Sequence, residues 1–170
     1  MLFRSMQHNL RDPSRDQTHG RVYRVRHATR DLVKPAKIAG EPVEKLLDLL
    51  KSKEDRVRSR ARIELSGRPS AEVTAAATKW LAALDKADAD YEHHRLEGLW
   101  LFQSHNVVNQ DLLRQVLKSP VPHARAAATK VLTAWRDRVP DTLELLQQQV
   151  NDDSSRVRLI RSEEHTSELQ

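Results

Sequence analysis

The residues whose types and spacing could do chemistry are two adjacent histidines and a nearby glutamate: His93, His94 and Glu97. His93 and Glu97 are four positions apart, so on a helix they would share one face, which is a spacing found between ligands of a metal ion such as zinc. A zinc site needs a third and usually a fourth ligand, which the neighbouring sequence does not supply. We therefore predict no metal site. We expect one histidine to pack or hydrogen-bond between helices while the other faces solvent.

Motifs for catalysis are absent from the chain. It has no cysteine, which excludes disulfides, thiol catalysis and a covalently attached c-type haem within it. The sequence shows no Ser-His-Asp order, glycine-rich phosphate loop or paired-carboxylate pattern. We therefore predict no catalytic residue, no cofactor-binding residue and no cofactor in this chain.

The charge is mildly basic and spread along the chain, with 29 Lys and Arg against 24 Asp and Glu. The arginines between Arg56 and Arg62 alternate along the sequence, so only Arg58 and Arg62 share a helical face. A second basic stretch, residues 21–37, contains Tyr23 as its one stacking aromatic, whereas single-strand recognition uses several. The sequence therefore disfavours nucleic acid as a partner. No apolar run reaches the roughly 18 residues of a membrane-spanning helix.

Apolar spacing predicts that helices position these residues. Residues 6–40 are irregular, with a β-prone run at 20–25 and an extended linker around Pro35, and Pro42 marks a first helical turn. Beyond it, apolar residues recur at the period of a helix. These stripes are Val43, Leu46, Leu47 and Leu50; Val73, Ala76, Ala77, Trp80, Leu81 and Leu84; Leu112, Leu113, Val116 and Leu117; and Leu143, Leu146 and Val150. Asn109, Ser70 and a capping box formed by Asp141 and Glu144 are the expected helix starts. The three tryptophans, Trp80, Trp100 and Trp135, lie within apolar stripes, which predicts core packing.

A motif repeats between these stripes. Its first copy is Asp55, Val57, Arg58, Ala61 and Leu65, and a second copy, shifted by 35 residues, departs from it with His93 in place of Arg and Leu96 in place of Ala. The third copy is Arg125, Ala128 and Leu132, and a fourth opens at Val157 and Arg158. A helix pair at this period is typical of an α-solenoid. We expect the motif arginine to pair with an aspartate in an adjacent turn, with Asp55 and Asp153 as candidates.

The repeated motif resembles HEAT repeats, and longer strings resemble one family that contains them. The strings are RDPSRD at 11–16, THGRVYRV at 18–25, VKP at 33–35, KIAG at 37–40, YEHH at 91–94, HNVVN at 105–109 and WRDRVPD at 135–141. They resemble the multidomain membrane-bound dehydrogenases of planctomycete-type bacteria. The resemblance implies an N-terminal β-propeller, a HEAT-repeat middle, a C-terminal c-type haem domain and a periplasmic or cell-envelope location. Residues 6–40 would then be the end of the propeller together with the linker that follows it, and residues 41–160 would be HEAT-like repeats.

Both ends of the chain read as translated sequencing adapter. Residues 161–170 are what one strand of a common adapter encodes, and residues 1–5 fit the reverse complement of the codons for residues 161–165. We therefore expect both ends to be foreign and residues 6–160 to be an internal piece of a longer protein. The helical stack would then end on an apolar edge at Val157 and Leu159, which predicts a chain that is marginally stable or self-associating.

The sequence predicts an all-α fold, a right-handed stack of about three and a half HEAT-like helix pairs after an irregular arm. The first functional hypothesis is a non-catalytic scaffold that binds protein or neighbouring domains of its own chain. The first alternative is a region that contributes directly to the active site of a periplasmic propeller-type dehydrogenase. The second alternative is a basic HEAT-like protein that binds nucleic acid.

Overall fold

The computed structural model describes residues 25, 27–29 and 34–159. The chain divides into two units, Met1–Pro35 and Ala36–Gln170. Most of the first unit lies outside the described residues, and so do both expected adapter ends and all of the β-prone run except Val25. The propeller end predicted for residues 6–40 therefore stays a prediction.

The described part of the chain contains helices and no strand, which confirms the all-α prediction. The helices are α1 (Val43–Leu49), α2 (Asp55–Ser66), α3 (Ser70–Ala82), α4 (Tyr91–Ser104), α5 (Gln110–Leu117), α6 (Pro122–Ala134) and α7 (Thr142–Val150). Residues 155–159 are also helical, and we call them the segment 155–159.

The helix starts follow the sequence signals in part. Pro42 directly precedes α1 and its carbonyl accepts the Leu46 amide at 3.1 Å, while the Asn109 side chain caps α5 by accepting from the Leu112 amide at 3.0 Å. At the other two predicted starts no side chain caps the helix, although Asp141 does occupy the N-cap position of α7. Ser70 is the first residue of α3 and makes no capping bond. Asp141 precedes α7 in a left-handed conformation, with φ of 61°, and its carboxylate lies 3.4 Å from Arg114 Nη2 instead of capping the helix.

The apolar stripes predicted for the first three sets form the core. All four residues of the stripe at α1 are buried, and so are all four residues of the stripe at α5. The stripe at α3 is also buried, except for Ala76 and Leu81, which are half-buried. Gly98 of α4 lets α3 approach closely, because a Cβ built there would lie 2.7 Å from Leu81 Cδ2. The 3.6-residue period thus identified the buried faces of these helices.

The stripe predicted for α7 is wrong in phase. Leu143 is 75% exposed and Leu146 and Val150 are half-buried, whereas Thr142, Leu145 and Gln149 are buried. The Thr142 hydroxyl donates to the Val139 carbonyl at 2.6 Å, within the turn that leads into the helix. The first residue of α7, and not its second, therefore faces the core.

The main helix contacts join elements that are one or two positions apart in the chain. Helix α4 packs on α2, α3, α5 and α6; α1 packs on α2 and α3; and α6 packs on α5 and α7. Alternate helices α2, α4 and α6 thus follow one another in space. Val157 of the segment 155–159 is buried, whereas Leu159 is exposed.

Candidate functional site: the repeat arginines, a buried ion cluster and the Trp100 groove

The arginine of the repeated motif makes the same backbone contact in three helical segments. Its Nη1 donates to the carbonyl six residues earlier: Arg58 to Ser52 at 2.7 Å, Arg125 to Ser119 at 2.9 Å and Arg158 to Asp152 at 2.6 Å. Ala61 and Ala128, and the leucines Leu65 and Leu132 four residues after them, are fully buried in both complete copies. Val57 is half-buried where Val157 is buried. The motif positions are therefore equivalent in structure as well as in sequence.

Arg125 also connects two copies of the motif. Its Nε and Nη2 donate to the two carboxylate oxygens of Asp152 at 2.7 and 2.8 Å, and Nη2 also donates to Asp153. Both aspartates named as candidate partners of a motif arginine are paired: Asp153 with Arg125, and Asp55 with Arg58 at 3.1 Å. Sequence reasoning missed Asp152. The sequence did contain a signal for Asp152: it lies six residues before Arg158, at the position where the other copies have Ser52 and Ser119.

The Arg125 guanidinium, by hydrogen bonding, holds the pKa of Asp152 well below its usual range. Because the folded-state pKa of Asp152 is lowered, its ionised carboxylate stabilises the fold at pH values above the ordinary pKa of an aspartate. This stabilisation is lost as the pH falls through the folded-state pKa. We expect urea midpoints to fall between about pH 5 and pH 3, and to fall less in Asp152→Asn, which is also less stable at neutral pH. Asp153→Asn, at a carboxylate 87% exposed, is the matched control. An unchanged acid dependence in Asp152→Asn would contradict the assignment.

The second motif copy has a buried ion cluster in place of the arginine contact. Glu97 is 1% exposed, and its carboxylate lies 3.2 Å from Arg58 Nε, 3.3 Å from Arg62 Nη1 and 3.4 Å from His93 Nε2. Arg58 and Arg62 come from α2, so the cluster joins α2 to α4. Sequence reasoning placed the two arginines on one face but did not find their partner.

Burial governs the ionisation of two groups in this region. Burial raises the pKa of Glu97, although Arg62, His93 and Arg58 oppose the shift. Burial lowers the pKa of His94, against the carboxylate of Asp88, whose Oδ2 lies 3.7 Å from His94 Nδ1. The cluster therefore combines a carboxylate that is costly to ionise with two permanent cations.

The structure brings His93 and Glu97 together but directs His94 elsewhere. His94 is buried and faces Asp88, whereas the His93 side chain is 40% exposed, so one histidine is buried and the other reaches solvent, as expected. Both Glu97 oxygens face arginines, whose charge opposes a metal cation. Within residues 34–159 no three His, Cys, Asp or Glu side chains are grouped to hold a metal ion.

One groove is lined by residues of α4, α6 and the segment 155–159. Its volume is about 470 Å³, and its lining is Trp100 from α4, His123, Ala126, Ala127 and Lys130 from α6, and Arg156 and Leu159 from the last segment. We call it the Trp100 groove. Its volume falls within the roughly 300–1,000 Å³ of ligand-binding clefts.

Trp100 differs from the other two tryptophans. Trp80 and Trp135 are buried as predicted, whereas Trp100 is only half-buried and lines the groove. The Arg62 guanidinium lies 5.3 Å from the centroid of its ring, a cation–π contact that connects the groove to the ion cluster. Helical spacing alone gave no signal that Trp100 is accessible.

A second groove, of about 380 Å³, has the opposite charge. It lies between α1 and α3, and its lining includes Glu44, Asp48 and Glu72 together with Lys79 and Trp80. The two grooves share no residue. The lining of this groove is therefore mainly acidic, whereas that of the Trp100 groove contains no acidic residue.

Comparison with known proteins gives no match to a family model, to a curated protein or to a solved structure. The part of the chain that the structure describes has no helix long and apolar enough to cross a membrane. The fold itself identifies the described part of the chain as all-α, because it contains helices and no strand.

Proposed function

We propose that the helical unit is a non-catalytic, HEAT-like repeat scaffold that binds a protein segment, from a partner or from another domain of its own chain, in the Trp100 groove. The observation that carries the proposal is the groove itself, which is lined by three helical segments and contains a half-buried tryptophan. Tryptophan is enriched among the residues that dominate binding energy at protein interfaces. The repeated arginine contact supports a repeat architecture.

The chemistry of the ion cluster also favours a scaffold. Arg58 and Arg62 on α2 fix the position of Glu97 on α4, and Arg125 on α6 fixes Asp152 before the segment 155–159. These ion pairs join neighbouring copies of the motif and leave the carboxylates engaged. In a repeat scaffold such contacts hold the spacing between adjacent repeats and so keep the binding face in shape.

The test is a selection of random peptides displayed on phage against the immobilised chain, followed by fluorescence anisotropy with the enriched peptides. We expect saturable binding that Trp100→Ala weakens at least about tenfold, since removal of a central aromatic anchor commonly has that effect. Ile63→Ser, at an apolar side chain 68% exposed on α2, is the matched control and should bind normally. Circular dichroism shows whether both variants remain helical. Failure to enrich any peptide, or equal binding by both variants, would overturn the proposal.

A further inference from the structure

We propose that the segment bound in the Trp100 groove is acidic, with apolar side chains between its carboxylates. This inference rests on the proposed function and names the chemistry of the partner. It starts from charge: Lys130 and Arg156 line the groove and are exposed, and no lining residue is acidic. Carboxylates arriving at this surface would meet two cations and no repulsion.

The two cations differ from four arginines at the helix interfaces, which are already paired. Arg58, Arg62, Arg95 and Arg125 each have a carboxylate partner. Lys130 and Arg156 have no ion pair with any residue in the described part of the chain. An incoming carboxylate would therefore not have to displace an internal partner, so pairing with it would add a contact without removing one.

The floor of the groove supplies the apolar part of the site. Ala126 and Ala127 are small, so they leave space beside the half-buried ring of Trp100, and Leu159 completes an apolar wall. A leucine-sized side chain placed against Trp100 would bury apolar surface while neighbouring carboxylates reach Lys130 and Arg156. This arrangement, an apolar centre with a charged rim, is that of protein interfaces.

A peptide fits these residues better than a nucleic acid does. Nucleic-acid binding draws its affinity from many phosphate contacts, and this groove offers two permanent cations. Single-strand binding stacks successive bases on several aromatic side chains, whereas Trp100 is the one Trp, Tyr or Phe among the lining residues. The acidic groove between α1 and α3 would repel both kinds of anion, which directs an acidic segment to the Trp100 groove.

The test is an anisotropy titration of the full chain with a fluorescein-labelled peptide of alternating glutamate and leucine. Two matched peptides carry glutamine or lysine in place of glutamate. We expect the glutamate peptide to bind about tenfold or more tightly than either, and added salt to weaken it. Lys130→Glu combined with Arg156→Glu should remove this preference. Lys79→Glu combined with Lys86→Glu changes the net charge equally at exposed positions outside the groove and should preserve it.

Three results would overturn the inference. Equal binding of the glutamate and glutamine peptides would leave the proposed function standing but remove the acidic partner. Tighter binding of single-stranded oligothymidine, lost in the Lys130 and Arg156 double variant, would replace the peptide with a nucleic acid. The chain has an acidic stretch of its own, since residues 161–170 contain three glutamates, and a further variant combines Glu163→Gln, Glu164→Gln and Glu168→Gln. If the labelled glutamate peptide binds in the Trp100 groove, this variant should bind the peptide at least as tightly as the parent chain does. Weaker binding of the peptide by the variant would count against the groove as its site.

Discussion

Replacing Glu97 with alanine should lower the free energy of unfolding by about 3–5 kcal/mol, as measured by urea denaturation at neutral pH. The carboxylate is 1% exposed and faces Arg58 and Arg62. Its removal leaves two guanidinium groups close together without the charge that offsets their repulsion, and it opens a cavity between α2 and α4. Most of the loss therefore comes from the groups left behind.

Two further variants separate charge from volume. Glu97→Gln keeps the volume and a hydrogen-bonding oxygen but not the charge, so we expect a smaller loss than with alanine. Glu72→Ala, at an exposed carboxylate on α3, should have no measurable effect. A Glu97→Ala midpoint equal to that of the parent chain would contradict the buried cluster.

The cluster also predicts a pH dependence of its own. Because burial raises the folded-state pKa of Glu97 above its ordinary value of 4.5, the stability linked to this shift is fully present below that value. It is lost as the pH rises through the folded-state pKa, since the arginines only partly offset the cost of burying the charge. This sign is opposite to that of Asp152. The stability of Glu97→Gln should accordingly fall less than that of the parent chain as the pH rises from about 4.5 toward neutrality.

Leu132→Ala should destabilise the chain by about 2–5 kcal/mol, because it removes a fully buried side chain and leaves a cavity that the helices only partly close. Leu132 belongs to the repeated motif on α6. The measurement is the change in urea midpoint at constant denaturant slope, which reports stability without a change in the unfolded state.

Leu143→Ala on α7 is the matched control for this substitution. Leu143 is 75% exposed, so the same chemical change should alter stability by no more than about 0.5 kcal/mol. If Leu143→Ala were as destabilising as Leu132→Ala, the buried face of α7 would be the one that carries Leu143, as its apolar stripe predicted, and not the one that carries Thr142.

Apolar spacing determined the fold class and the buried faces of α1, α3 and α5, because a helix that packs by one face repeats its apolar residues at its own period. The same reasoning failed for α7, where two leucines in succession allow two phases. In the folded chain the buried phase is the one that contains Thr142, Leu145 and Gln149. Local sequence also predicted the Asn109 cap and Asp55 as a partner of Arg58, since both contacts join residues three positions apart.

Only the tertiary structure decided the site. Glu97 was suggested by sequence as a metal ligand with His93, but α2 brings Arg58 and Arg62 against it, and packing of α2 on α4 cannot be read from residues that are more than thirty positions apart. Trp100 lies in an apolar stripe like Trp80 and Trp135, yet the small residues of α6 leave its ring half-exposed. Periodicity reports which face of a helix is apolar. How completely a neighbouring helix covers that face depends on the side chains of the neighbour.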